Sequence, residues 1–369
     1  LTSTQIGSLT AAAFSALDAT TIGALTTTQV RGVTTTQLSG LTTTDIAEFA
    51  STQLGALSAT QIGTLSVTNL GALATTQIEG LSSTQLGALT VTKLSALDAT
   101  QVGALTATQV GGLTATQISG LNATDIGELL DTQIGGMTST QLRSINATNL
   151  SALTSTQVGT LTSTQISTLT TTQMAGLNET DVGELTATQL GGLTSTQIGS
   201  LTAAAFSALD ATTVGALTTT QVRGVTTTQV AGLTTTDLME FSSTQLGSFN
   251  ATQIGALSVT NLATLDVTQI GGLTSTQIGG LSSTKLSALD ATQIGALTTT
   301  QIGGVTATQI SGLSVTDMGE LLDTQIGSMT STQLRSINAT NLSALTSTQV
   351  GTLTSTQIAT LTTTQMRGL

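Results

Sequence analysis

Every eighth residue of this chain is a large apolar side chain, from Leu1 through Leu9, Leu17 and Leu25 to Leu369, without a break. A period this strict marks an array of one small unit, whose properties belong to the array rather than to any single site. The consensus octad is L-T-x-T-Q-[ILV]-G-x, and 46 octads plus a closing leucine account for all 369 residues. Counting from each leucine, position 6 is always apolar, and position 4 is Thr everywhere except Ala12 and Ala204. Position 2 is Thr, Ser, Asp or Asn except at Ala50, Ala74, Leu130 and Leu322. Position 5 is usually Gln, sometimes Asp or Asn, and positions 7 and 8 are mostly small.

The unbroken period overrides the two or three domains that a chain of this length suggests, so residues 1–369 read as one continuous octad array. A longer period lies over it. Residues 1–21 recur unchanged at 193–213, and 138–166 recur at 330–358. The array is thus two successive copies of a 192-residue block, 1–192 and 193–369. Because it begins and ends in register, the expectation is a window on a longer polypeptide with targeting segments elsewhere.

A continuous helix does not fit this pattern. Apolar positions alternately 5 and 3 apart form no single stripe at 3.6 residues per turn, and Gly and Thr in every turn weaken a helix. A simple strand fails because positions 1 and 6 have opposite parity and would face opposite sides. One short helix per octad satisfies two independent rules in one register. Thr2 is then the N-cap with Gln5 at N3, the capping-box spacing, while Leu1 and Ile6 take the two positions of a hydrophobic staple. Asp18, Asn122 and Asp290 are equally good N-caps. Thr4 and Gly7 share another face, small enough for close helix contact. At Leu130 and Leu322 the cap is missing and the preceding helix is expected to run on. TAAAFSAL replaces Thr and Gln by Ala, the best helix former. A single turn is unstable alone, so neighbours must stack. The expected fold is an all-α repeat solenoid, one short capped helix per octad in a superhelical rod, with Leu1, Thr2, Thr4, Gln5 and Ile6 as its structural residues. The rival is a β-solenoid with Thr4 and Ile6 inward and corners near Gly7 and Thr2. On strands, the T-x-T spacing would point both hydroxyls one way, as on ice-binding β-solenoids.

Composition excludes much chemistry. His, Cys, Tyr and Trp are absent, which removes the usual general base, the thiol nucleophile, disulfides and most metal ligands. Abundant Ser and Thr have no base beside them, so an enzyme is not expected. The net charge of −12, with seven basic residues scattered along the chain (Arg31, Lys93, Arg143 and Arg335 among them), argues against nucleic acid. No apolar run approaches a membrane span. Hydrophobic content of 38% supports a core, while only 7% charged residues leaves a surface of Thr, Ser, Gln, Gly and Ala that repels its neighbours weakly.

One acidic pattern recurs: Asp45 with Glu48, Asp125 with Glu128, Asp181 with Glu184, Asp237 with Glu240, and Asp317 with Glu320. Every Asp at position 5 carries this Glu three residues on. On a helix the two share a face and could bind Ca²⁺ weakly with help from a neighbouring coil, although two carboxylates fall short of a Ca²⁺ shell. The competing reading is a solvated acidic edge or a lateral contact marker between filaments. No other cofactor is indicated. The Asn-x-Thr triplets at Asn122, Asn146 and Asn250 lie at position 2, where capping explains them.

The units LTTTQVRGV, LTSTQIGSL and LDATQIGAL resemble the L-[ST]-x-x-Q-[IV]-x-x-L octapeptide arrays of giant bacterial surface or secreted proteins described as adhesin-like or hemagglutinin-like. The resemblance covers the whole chain and implies an extracellular or cell-surface bacterial setting with a scaffold or adhesive role. It carries over no functional residue. The expected function is a structural subunit of a filament, stalk or matrix fibre that self-associates through its Thr/Gln/Ser-rich repeat faces. The expected partners are copies of itself and, on the second reading of a repeat-face binding module, surface glycans or ice.

Overall fold

The computed structural model describes residues 1–367, and in them each of the 46 octads forms one short α-helix of four to six residues. No strand occurs among the described residues, so the β-solenoid alternative is overturned. The ice-face reading, which required strands, loses its support. The array forms two compact units, Leu1–Leu177 and the residues from Asn178 onward. The second starts at Asn178 rather than at Leu193, where the duplicated block begins.

Each octad folds for the same local reasons. In the helix Ser3–Gly7, Thr2 is extended (φ −80°, ψ 163°) and its hydroxyl accepts the Gln5 N–H at 3.2 Å. The Gln5 side chain returns to accept the Thr2 N–H at 2.8 Å, which closes the capping box. The helix ends when position 1 of the next octad turns extended, as Leu57 does at φ −66°, ψ 150°. The N–H of that residue still bonds back to position 6, as in Leu9 to Ile6 at 3.2 Å. No residue among those described has a positive φ. The glycines of positions 7 and 8 therefore do not serve as left-handed caps, and only some of them are required by packing.

Stacking supplies the stability that a single turn lacks. Within each unit a helix packs on the helix three octads along, as Ser3–Gly7 does on Thr27–Val30 and Ser195–Ser200 on Thr219–Val222. Away from the ends of the array position 6 is sealed, as at Ile6, Leu38 and Ile254, and position 1 nearly so, as at Leu65 and Leu257, whereas Leu1, Ile358 and Met366 are exposed. Close approach needs glycine at particular places. A Cβ on Gly32 would lie 2.1 Å from the Ser3 carbonyl oxygen, and one on Gly224 would lie 2.1 Å from that of Ser195. The contacting surfaces are thus positions 3, 7 and 8. Thr4, expected to share the contact face with Gly7, is exposed instead, because at the second helical position its side chain points away from the stack.

The uncapped octads do not let helices run on. The helix Ala123–Gly127 ends before Leu129, and a new one starts at Asp131 although Leu130 offers no capping side chain. The Gln133 N–H, which a capping side chain would have bonded, goes to the Leu130 carbonyl at 2.9 Å, while the Gln133 side chain accepts the Leu130 N–H at 2.7 Å as in the capped octads. The AAAFS helices, Ala11–Ser15 and Ala203–Ser207, are no longer than the rest. Their phenylalanines pair across coils, Phe14 with Phe49 at 6.4 Å and Phe206 with Phe241 at 6.5 Å between centroids.

Candidate functional site

The position-5 side chain is where local folding and stacking meet. Gln37, only 1% exposed, accepts the Thr34 N–H at 2.7 Å through Oε1. Its Nε2 donates across to the previous coil, to the carbonyls of Ile6 at 2.8 Å and Leu9 at 2.9 Å. Gln85 repeats this on Ser82, Leu54 and Leu57, and Gln333 on Thr330, Ile302 and Val305. The two carbonyls lie 31 and 28 residues back, at the end of one helix and in the link to the next. One superhelical turn therefore takes between three and four octads. The sequence places the position-5 Gln in the cap and on the outer faces of the repeat. Its cross-coil function needed a neighbour that only stacking provides, and it removes Gln from the surface.

Departures from Gln change the clamp. Asn69 and Asn149 are shorter and reach only the link carbonyl, of Leu41 at 2.9 Å and Leu121 at 2.7 Å. Lys93 reaches a different acceptor, the Gly63 carbonyl at 2.5 Å, and Lys285 likewise donates to the Gly255 carbonyl. Asp has no donor at all. At Asp45 the direction reverses, with Oδ2 accepting from Ser15 Oγ of the coil below at 2.5 Å and from the Thr42 N–H at 2.9 Å. Ser95 donates to Asp125 at 2.7 Å and Ser287 to Asp317 at 2.5 Å, and Ser207 does the same to Asp237. In each pair Ser precedes Asp by 30 residues, a correlation visible in the sequence once the turn length is known.

The acidic pairs thus have a structural occupation. Asp45, Asp125, Asp181, Asp237 and Asp317 each accept the N–H of their own N-cap residue. Glu48, Glu128, Glu184 and Glu240 sit at helix C-caps, and Glu320 ends its helix. One carboxylate oxygen of Glu48 and one of Glu240 are buried with no hydrogen-bond partner. Desolvation, followed by repulsion from Asp125 and Asp98, raises the Glu128 carboxyl above its ordinary range. Glu240 and Glu320 are raised in the same way, with Asp237 and Asp210, and Asp317 and Asp290, as the repelling neighbours. Glu184 is raised by desolvation and by Asp181. Burial pushes Asp45 up but is outweighed by hydrogen bonds from Ser15 and Thr42, so its carboxyl stays below the usual value. No group of three or more carboxylates suited to hold a metal ion occurs among the described residues.

The remaining hydroxyls divide cleanly. Thr2 and its equivalents are spent on caps, whereas the Thr4 equivalents (Thr36, Thr60, Thr76 and onward) are exposed. The outer surface of an octad is therefore mainly positions 2 and 4 with parts of positions 3 and 7. No helix among the described residues is long and apolar enough to cross a membrane. No family model matches the chain, and no curated protein is significantly similar to it. What the residues and their geometry establish is an octapeptide-repeat α-solenoid rich in Thr, Ser and Ala, with every octad built on the same short-helix plan.

Proposed function

We propose that the chain is a structural subunit of an extracellular bacterial filament, stalk or matrix fibre, part of a large adhesin-like surface protein, and that it associates with copies of itself. The observation that carries this reading is the uniformity of the fold. The consensus octad spends its apolar positions, its cap hydroxyl and its Gln amide on its own stack. What it leaves outside is a sparsely charged surface of Thr and small residues. A surface with 7% charged residues opposes association weakly, and a repeating one offers the same contact many times. The role is mechanical and associative rather than catalytic, and most Gln side chains are kept from the associating faces because the clamp buries them.

Electron cryo-microscopy of the concentrated, purified chain tests the proposal. Ordered bundles or filaments are the expected result. A chain that stays monomeric at every concentration and ionic strength sampled would refute it.

A further inference from the structure

The charged residues are scattered in sequence, but the turn length gathers them. Thr21 and Thr213 apart, the departures from Gln at position 5 in the first unit are Ala13, Asp45, Asn69, Lys93, Asp125 and Asn149. They span 136 residues in five steps, about 27 residues each. Within the second unit, Asp181 to Asn341 covers 160 residues in six steps, again about 27. These substitutions thus recur once per turn and mark a line along each unit. The contacts agree, since the residues that touch across coils are 25 to 31 apart, from Arg31 to Ala56 up to Gln37 to Ile6.

Placed on a turn of that length, all 19 carboxylates fall on one side of their unit. The widest spread is Glu179 to Asp323, whose separation of 144 residues leaves them about two fifths of a circumference apart. The clustering is physical, because the charges that act on Glu128, Glu240 and Glu320 are all carboxylates, one of them contributed by the coil below. The two lysines lie on the marked line, with their ammonium groups occupied by backbone carbonyls.

Four of the five arginines lie away from this side. Arg31 is 13 residues beyond Asp18 and 14 before Asp45, and Arg223 stands identically between Asp210 and Asp237. Since Ser15 touches Asp45 and Ser207 touches Asp237, these arginines are about half a turn from the acidic line. Arg143 follows Glu128 by 15 residues and Arg335 follows Glu320 by 15, which again is about half a turn. All four side chains are exposed. Arg367 is the exception. Each unit, taken by itself, therefore has an acidic edge and an arginine edge on opposite sides.

We propose that a second copy of this chain docks side by side with the first, its arginine edge against the acidic edge. This rests on the self-association proposed above and names the surfaces that perform it. Opposite edges on one body make a heterologous contact, in which each added copy presents a fresh acidic edge to the next, so growth is open rather than closed into a pair. The excess of carboxylates on one edge steers encounter and sets orientation, and salt screens it over a Debye length of about 8 Å at 0.15 M.

The test uses the full chain and two variants: Arg31→Glu/Arg143→Glu/Arg223→Glu/Arg335→Glu, and Asp18→Asn/Asp98→Asn/Asp210→Asn/Asp290→Asn. The asparagines keep the N-caps while removing charge, so the second variant should fold as wild type does. Sedimentation velocity reads association, with circular dichroism to verify unchanged helix content. Wild-type association should weaken on the order of tenfold between about 0.02 and 0.3 M NaCl. The arginine variant alone should fail to associate, and the asparagine variant should associate several-fold more weakly than wild type. Mixed with wild type, the arginine variant should still bind through its intact acidic edge and stop growth there, shortening the assemblies. Association of either variant equal to wild type, or an arginine variant that leaves wild-type assemblies at full length, overturns the edge assignment while self-association stands. Absence of wild-type association overturns both proposals.

Discussion

Replacing Gln133 by Met isolates the contribution of one clamp. Gln133 is 1% exposed and makes three hydrogen bonds: Oε1 accepts from the Leu130 N–H at 2.7 Å, and Nε2 donates to the carbonyls of Val102 at 2.8 Å and Leu105 at 2.6 Å. Met has a similar unbranched shape, so Gln133→Met removes the polar atoms with little change in volume. The Val102 carbonyl keeps a second partner, the Leu105 N–H at 3.0 Å. The Leu130 N–H and the Leu105 carbonyl lose the partner that Gln133 supplies. An orphaned buried group costs about 1–3 kcal/mol; the buried Leu105 carbonyl bears that cost while the N–H of half-exposed Leu130 can turn to water, so the loss should be about 1–3 kcal/mol. Urea unfolding followed by far-UV circular dichroism measures it, and hydrogen exchange at Leu130 localises it, because a repeat array need not unfold in one step. Gln133→Glu should cost more at neutral pH, since a carboxylate would face two carbonyl oxygens. Burial raises its folded-state pKa above the unfolded value, so stability should return as pH falls through the folded pKa. A Gln133→Met chain within about 0.5 kcal/mol of wild type would sink the clamp argument.

Three further outcomes follow from the geometry. Gly224→Ala, whose Cβ would sit 2.1 Å from the Ser195 carbonyl oxygen, should destabilise by about 1–3 kcal/mol, whereas Gly111→Ala meets nothing within 4 Å and should stabilise by about 0.4–1 kcal/mol; equal effects in thermal melts would contradict the packing assignment. The raised carboxyls of Glu128, Glu184, Glu240 and Glu320 penalise the folded state when ionised, so Tm should rise as pH falls from neutral toward the ordinary carboxylate range. It should fall again at lower pH as Asp18, Asp45 and Asp210, whose hydrogen bonds hold them low, become protonated; a Tm that only declines on acidification would refute this. Finally, Ser155→Pro, at the first helical position, should be nearly neutral, while Thr156→Pro forces Ser155 out of the helical region and should cost clearly more in the same melts.

Several elements were legible without the fold. The octad register, the N-cap at Thr2, the capping box with Gln5 and the burial of Leu and Ile all follow from local rules, because an N-cap and its N3 partner are three residues apart whatever surrounds them. The expected run-on at Leu130 failed because Leu130 is extended even without a capping side chain, its carbonyl taking the Gln133 N–H, while Leu129 is held in the core. The Thr4–Gly7 contact failed because the direction of stacking, not the helix alone, decides which small residues meet.

What the sequence by itself determined is the unit: its length, its caps and its apolar pair, since these interactions close within one octad. What only the tertiary structure decided is which octads become neighbours: the spacing of about 27 residues between position-5 departures is present in the sequence, but only the stacked coils make it a turn. The cross-coil bonds of Gln37 and its equivalents, the Ser15–Asp45 bond and the separation of carboxylates from arginines all depend on residues roughly one turn or half a turn apart. An eight-residue pattern specifies how each helix begins and ends. How many octads close a turn is set by the side chains at positions 3, 7 and 8 that must fit between coils, and that fit exists only once the coils are stacked.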